Sequence, residues 1–370
     1  MRLSDICNVY SGYAFKTFND LGHGVPVIKI SNLLPDGSID LINCLFTTDN
    51  FKEKFYSKKN DIYIALSGAT TGKIGIMDTD NTFAINQRVG IVRNRSAVSN
   101  EYLKYFLMSK SNQILEEASG CAQPNISPKQ IANYDVPIFS DGEMNKIVSE
   151  LKEIDKIKNI YQKQLELLDE LVKARFVEMF GDPVSNSKDL PVQKMNNVAP
   201  ICQYDGSFEE SVWLLNLDMV ESQTGRIINY NIVSKDEIGG SVCTFDENNV
   251  LYSKLRPYLN KVVIPDGKGY ATSELVPLRP DPKIINRIYL AYLLRSNEFV
   301  EMIKEKVAGA KMPRVSMSDF REFKVPVPPL ELQNQFASFV EEIDKSRSRI
   351  QKSLEASQEL FDSLMQEYFG

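Results

Sequence analysis

The chain has 370 residues, 43% apolar and 25% charged, which allows two globular domains with real cores and excludes wholesale disorder. A net charge of −6 argues against a solitary nucleic-acid-binding protein but leaves room for a local basic face. Five scattered cysteines without CxxC spacing, no apolar signal core in residues 1–10 and no run near the roughly 20 apolar residues of a membrane span predict a reduced, cytoplasmic protein.

Residues 1–140 carry 14 Lys/Arg against 13 Asp/Glu and read as a mixed domain. β-Branched runs at 25–30, 62–66 and 88–92 predict strands, residues 101–118 a helix, and Val136-Pro137-Ile138 a closing strand. From 141 to 183 the period changes. Apolar residues fall at Ile147, Leu151, Ile154, Ile157, Tyr161, Leu165, Leu168, Val172, Phe176 and Met179, in steps of three and four, with no proline or glycine between 143 and 180. Residues 184–329 return to the mixed pattern, with strands expected at 212–217, 249–252 and 261–264 and a helix at 288–307. Residues 330–370 form a second long helix, with Phe336, Val340, Ile343, Ile350, Leu354, Phe361, Leu364 and Tyr368 on its apolar side.

The second half repeats the first. Residues 120–127 (GCAQPNIS) align with 309–316 (GAKMPRVS) at an offset of 189, and so do Val136-Pro137 with Val325-Pro326, Glu153-Ile154-Asp155-Lys156 with Glu342-Ile343-Asp344-Lys345, and Phe180-Gly181 with Phe369-Gly370. Upstream, Asp61-Ile62-Tyr63 matches Asn249-Val250-Leu251, which sets Lys73 opposite Lys261, and Ala84–Gln87 is aligned with Ala271–Glu274. A collinear series of this kind points to internal duplication. The fold expected is α+β: two mixed α/β domains (1–140 and 184–329) and two long helices (141–183 and 330–370) pairing as an antiparallel coiled coil, related by a pseudo-twofold repeat. Leu151, Ile154, Leu165, Leu168, Ile343, Ile350, Leu354 and Leu364 are expected in the helix interface.

Catalytic chemistry is not legible. Gly68-Ala69-Thr70-Thr71-Gly72-Lys73-Ile74 has three residues between its glycines and Ile after the lysine, where a phosphate loop needs four and Ser or Thr. Glu322-Phe323-Lys324 looks like a nuclease strand, but its counterpart is Asn133-Tyr134-Asp135. The single histidine, His23, supports neither a multi-His metal site nor a hydrolase triad. No catalytic residue, metal or cofactor is therefore expected on this chain.

The duplicated G-x-x-[QM]-P-x-[IV]-S block before a Val-Pro strand, the segment Leu171–Pro183 (LVKARFVEMFGDP), and Pro328-Pro329-Leu330-Glu331-Leu332-Gln333 together resemble the DNA-specificity subunit of type I restriction–modification systems. The stretches 62–75 and 251–261 resemble it too. One departure is Phe139-Ser140-Asp141-Gly142, where the family continues with two prolines and an acidic-Gln pair, a change that would shift the first turn of the central helix.

The resemblance implies two target recognition domains, each reading half of a bipartite asymmetric site on double-stranded DNA. It implies partners as well: two methyltransferase subunits docked on the helices and motor–nuclease subunits in the restriction complex. S-adenosylmethionine, ATP and Mg would then sit on those partners. Arg suits guanine and Asn/Gln suit adenine. On that ground the candidate DNA-binding residues are Ser67, Thr70, Thr71, Lys73, Asn86, Gln87, Arg88, Gln123 and Asn125 in the first repeat. In the second they are Lys254, Arg256, Tyr258, Asn260, Lys261, Ser273, Lys311 and Arg314. Lys73 and Lys261 suit phosphate better than bases.

Rival readings are a module of a methylation-only or type IIB-like system, and a non-DNA helical adaptor. Binding that falls steeply with salt on a log–log plot is expected for DNA recognition; a flat slope in the same titration would favour the adaptor.

Overall fold

In a computed structural model of the chain, the structure describes all residues except 119–123 and 308–311. It divides into two compact units, Met1–Tyr161 with Ser353–Gly370, and Gln162–Lys352. Each unit holds one mixed domain and about half of each long helix.

In the first unit an antiparallel sheet runs Cys7–Ser11, Val89–Asn94, Ile62–Ala65, Ile74–Ile76. A smaller sheet orders Leu45–Thr47, Val25–Ile28 and Ala84–Ile85, the last pair parallel. The second unit repeats the scheme. Val262–Val263, Val250–Ser253 and Leu275–Leu278 form an antiparallel sheet, and Ile232–Ser234, Ser211–Leu215, Gly269–Thr272 and Val242–Phe245 form the other. Ile62–Ala65 and Val250–Ser253 show no alternation of buried and exposed residues. All their residues are buried, because a helix covers the face opposite the second sheet.

The long helices are Asp141–Phe180 and Leu330–Phe369, 40 residues each and equivalent at both ends by the offset of 189. Their starts differ in chemistry. Ser140 and Glu143 form a capping box, with Ser140 Oγ donating to Glu143 at 2.6 Å and the Glu143 amide donating to Ser140 Oγ at 3.3 Å. The second helix instead follows Pro328-Pro329, and buried Gln333 donates to the carbonyls of Ile284 (3.1 Å) and Pro328 (2.7 Å). The capping box holds the first turn in place, so the shift expected there does not occur.

Both units show the antiparallel pairing. In the first, Met144, Ile147, Leu151 and Ile154 share a core with Phe361, Met365 and Phe369, with Leu364 half-buried beside them. In the second, Val172, Phe176 and Phe180 share a core with Phe336 and Val340, with Ile343 beside them. Leu165 is buried, and Leu168, Ile350 and Leu354 are half-buried.

Ile157 departs from the expected seam and is exposed. Lys158 turns inward instead, its ammonium 4.1 Å from the Phe361 ring centroid, where the long stem covers apolar surface. Arg347, 189 residues on, likewise enters the seam. It pairs with Asp169, which also receives Arg226 at 3.3 Å from the globular part. A cavity of about 440 Å³ beside this network is floored by Val172, Phe176, Tyr292 and Val340.

Each helix ends in the core of the other repeat. The Phe180 ring lies 4.7 Å from Tyr289 and 5.6 Å from Phe336. Phe369 lies 5.2 Å from Tyr102 and 6.1 Å from Phe106. The two tyrosines are fixed in turn by their hydroxyls, which donate to Pro137 (2.7 Å) and to Pro326 (3.0 Å). Pro326 lies on the strand Lys324–Pro326, whereas the closing strand expected at Val136–Ile138 is not formed: its segment is irregular, with only the preceding Asp135 bridged to Arg2. Burial pushes the Cys7 thiol up to about 12 and Cys243 to about 11, which makes both poor nucleophiles, while Cys202 is exposed.

Phe180→Ala is expected to cost about 3–5 kcal/mol in urea unfolding of the full chain, the range for emptying a buried aromatic site. Leu171→Ala, on an exposed position of the same helix, is expected to stay within about 0.5 kcal/mol.

Candidate nucleic-acid interface

Three loop segments meet at one end of each central sheet, held by backbone hydrogen bonds. In the first unit the Leu66 amide donates to Arg88 (2.9 Å), Gly68 to Pro124 (3.1 Å), and Ile126 to Leu66 (2.9 Å). Ser67 and Asn125 form a β-bridge between them. In the second unit Lys254 donates to Glu274 (3.0 Å), Arg256 to Pro313 (2.9 Å), and Val315 to Lys254 (2.9 Å), with Leu255 and Arg314 bridged. The two clasps are the same backbone object.

The turn within each clasp repeats as well. Ala65 donates to Lys73 at 2.9 Å and Ser253 to Lys261 at 3.0 Å, the register that sets the two lysines opposite each other. Gly68 and Gly72 have φ of +86° and +87°, and their counterparts Arg256 and Asn260 have +48° and +51°. Arginine in this region is strained, whereas asparagine tolerates it. The second repeat keeps the backbone of the first at some conformational cost, which gains a guanidinium at the rim.

The candidate side chains divide by direction. Arg88, Gln87 and Asn125 in the first clasp, and Arg256, Tyr258 and Arg314 in the second, are exposed. Ser67, Thr70, Lys73, Asn86, Lys254 and Ser273 are half-buried. Gln123 and Lys311 lie outside the described residues.

Three residues correct the expectation that they face a ligand. Thr71 is buried and its hydroxyl donates to the Gly68 carbonyl at 2.7 Å, closing its own turn. Asn260 is buried, and its amide donates to Arg295 O (2.9 Å) and Gln223 Oε1 (3.3 Å), tying the turn to the helix below. Lys261 directs its ammonium to the Leu217 carbonyl at 2.8 Å; burial lowers its pKa, with Asp218 opposing. A small polar residue in a tight turn carries a signal for turn chemistry as well as for recognition, and here turn chemistry accounts for Thr71 and Asn260.

Glu274 was missed by sequence reasoning. Identity matching set it against Gln87, but strand register sets it against Arg88, because the turn between Ile85 and Val89 has one residue more than that between Thr272 and Leu275. Its carboxylate receives Arg314 at 2.7 Å. Among the described residues no group of His, Cys, Asp and Glu could hold a metal, and no helix is long and apolar enough to cross a membrane.

The family model for the type I restriction modification DNA specificity domain matches residues 1–169 and 218–358. The chain is 27% identical over 135 residues to the EcoDI specificity subunit of Escherichia coli, covering 36% of this chain and 30% of that subunit. It is 20% identical over 326 residues to the MjaIX specificity subunit of Methanocaldococcus jannaschii, covering 81% and 74%. In fold it is similar to the crystal structure of the type I S subunit from M. genitalium, with a TM-score of 0.56 at 15% identity, covering 100% of this chain and 95% of that one. A structure solved to explain assembly and conformational transition of a type I system gives 0.57 at 14% identity, covering 100% and 96%.

Asn260→Ala is expected to lower stability by about 1–3 kcal/mol in chemical denaturation, since it leaves the Arg295 carbonyl without its donor. Tyr258→Ala, two residues away and exposed, is expected to leave stability within about 0.5 kcal/mol.

Proposed function

The chain belongs to the type I restriction–modification DNA specificity family, and from that premise we propose that it chooses the DNA target for methyltransferase partners without catalysing chemistry itself. Each recognition domain reads one half of a bipartite, asymmetric site from the major groove, and the helices set the spacing. Two methyltransferase subunits dock on the helices, and motor–nuclease subunits join for restriction. S-adenosylmethionine, ATP and Mg act on those partners.

The observation that carries this reading is the duplicated clasp. Its backbone frame is common to both domains, yet the side chains it carries differ: exposed Arg88 and Asn125 in one, half-buried Glu274 and exposed Arg314 at the same places in the other. A shared frame with different donors and acceptors suits recognition of two different base sequences. Exposed Arg88, Arg256 and Arg314, with half-buried Lys73 and Lys254, supply local positive charge to a chain that is acidic overall. The helices leave Ile157, Ile160, Leu167, Leu171 and Leu360 exposed, as a surface made for partner helices would.

The test is a map of N6-methyladenine in host DNA with an active methyltransferase, with and without this chain. A split asymmetric motif that vanishes on deletion is expected; methylation unchanged by deletion would overturn the reading. Arg256→Ala is expected to weaken recognition in one half-site and leave the other half unchanged. Leu168→Asp with Leu354→Asp is expected to abolish co-purification of the methyltransferase, and normal assembly by that double variant would remove the helices as its docking surface.

A further inference from the structure

We propose that Glu274 is a positioning residue that holds Arg314 for a bidentate contact to a guanine in the second half-site, an inference that rests on the DNA-reading function proposed above. The Arg314 backbone is pinned on both sides, by the Arg256–Pro313 and Val315–Lys254 hydrogen bonds, so its Cα is fixed relative to the clasp. Glu274 is pinned on the facing segment through its carbonyl. Its Oε1 takes Nη2 of Arg314 at 2.7 Å, and the arginine side chain is 57% exposed while the glutamate is 22% exposed. The carboxylate thus grips one nitrogen of an otherwise open fork.

An unheld arginine on a surface loop samples many rotamers and binds phosphate as readily as a base. One anchored through a single nitrogen keeps further donors along a planar edge. That edge matches the O6 and N7 acceptors of guanine, the one base that offers two acceptors in the major groove. A fixed carboxylate beside the guanidinium also disfavours the approach of a phosphate, which leaves the base edge as the better partner. The other oxygen, Oε2, is buried and has no hydrogen-bond partner among the described residues, an arrangement that core stability alone does not favour.

The first domain serves as an internal comparison. At the frame position of Arg314 it has exposed Asn125, and at that of Glu274 it has exposed Arg88. No carboxylate buttress exists at that position, and an amide at the Arg314 position fits adenine rather than guanine.

The test is a methylome of the full chain with its active methyltransferase, comparing the native chain with Glu274→Gln and Arg314→Lys. Glu274→Gln keeps shape and an acceptor but removes the charge; Arg314→Lys keeps charge but removes the fork. The native second half-site is expected to contain an invariant guanine. Both variants are expected to lower the preference for that guanine by roughly 5- to 150-fold, to relax that one position, and to leave the first half-site intact. Asn125→Ala is expected to change only the first half-site. Thermal midpoints accompany the methylomes; should Glu274→Gln fail to fold, Arg314→Lys, on an exposed side chain, carries the comparison. A chain-dependent split motif whose second half lacks guanine, or keeps it at full preference in the variants, overturns this inference alone. Uniform loss at every position without relaxation makes the pair merely structural and also overturns it. Methylation independent of the chain overturns this inference together with the function beneath it.

Discussion

A 40-residue helix cannot bury its own apolar stripe, and the way that stripe is covered governs the rest of the molecule. Phe180 closes the first long helix inside the core of the second repeat, against Tyr289 and Phe336. Phe369 closes the second helix inside the core of the first, against Tyr102 and Phe106. Each globular part is therefore completed by the helix of the other repeat. The tyrosines that receive these rings are themselves hydrogen-bonded to the Val-Pro segments, so helix end, domain helix and closing segment form one contact set in each unit. The duplicated Phe-Gly and Val-Pro signatures of the sequence are parts of this single arrangement.

The clasps are built on a different principle. They rest on backbone hydrogen bonds and on two left-handed residues per turn, so they constrain the chain without specifying most of the side chains they display. Glycine fills both left-handed positions in the first repeat. The second has Arg256 and Asn260 there: the asparagine is tolerated because its amide ties the turn to the helix beneath, while the arginine remains at the rim.

Much of this was legible in the sequence. Long-range periodicity gave both long helices, and the offset of identical residues gave the repeat and the equivalence of Lys73 with Lys261. What was not legible has physical causes. Ile157 and Ile154 are both apolar, and a pattern of threes and fours accepts either; the choice of Lys158 for the inward position depends on the Phe361 ring it covers, contributed by a residue 203 positions away in the chain. Arg347 escaped notice in the same way, since its seam position is stabilised by Asp169 on the facing helix. Thr71 and Asn260 were ambiguous because the groups that suit base edges also suit tight turns. Glu274 was hidden by a one-residue difference in turn length that identity matching absorbs and strand pairing does not.

The division between a backbone-bonded frame and freely displayed side chains has a consequence for how such a protein changes over generations. Substitutions at exposed, non-helical positions such as Asn125 or Arg88 carry stability costs that are typically within about 0.5 kcal/mol, because the bonds that hold the clasp belong to main-chain atoms. Rim compositions can therefore change without passing through an unfolded intermediate, whereas emptying the buried sites of Phe180, Tyr289, Phe369 or Tyr102 costs several kcal/mol, about 3–5 for an aromatic. Tolerated change is thereby concentrated at the exposed rim, and the two domains can vary there independently within one chain.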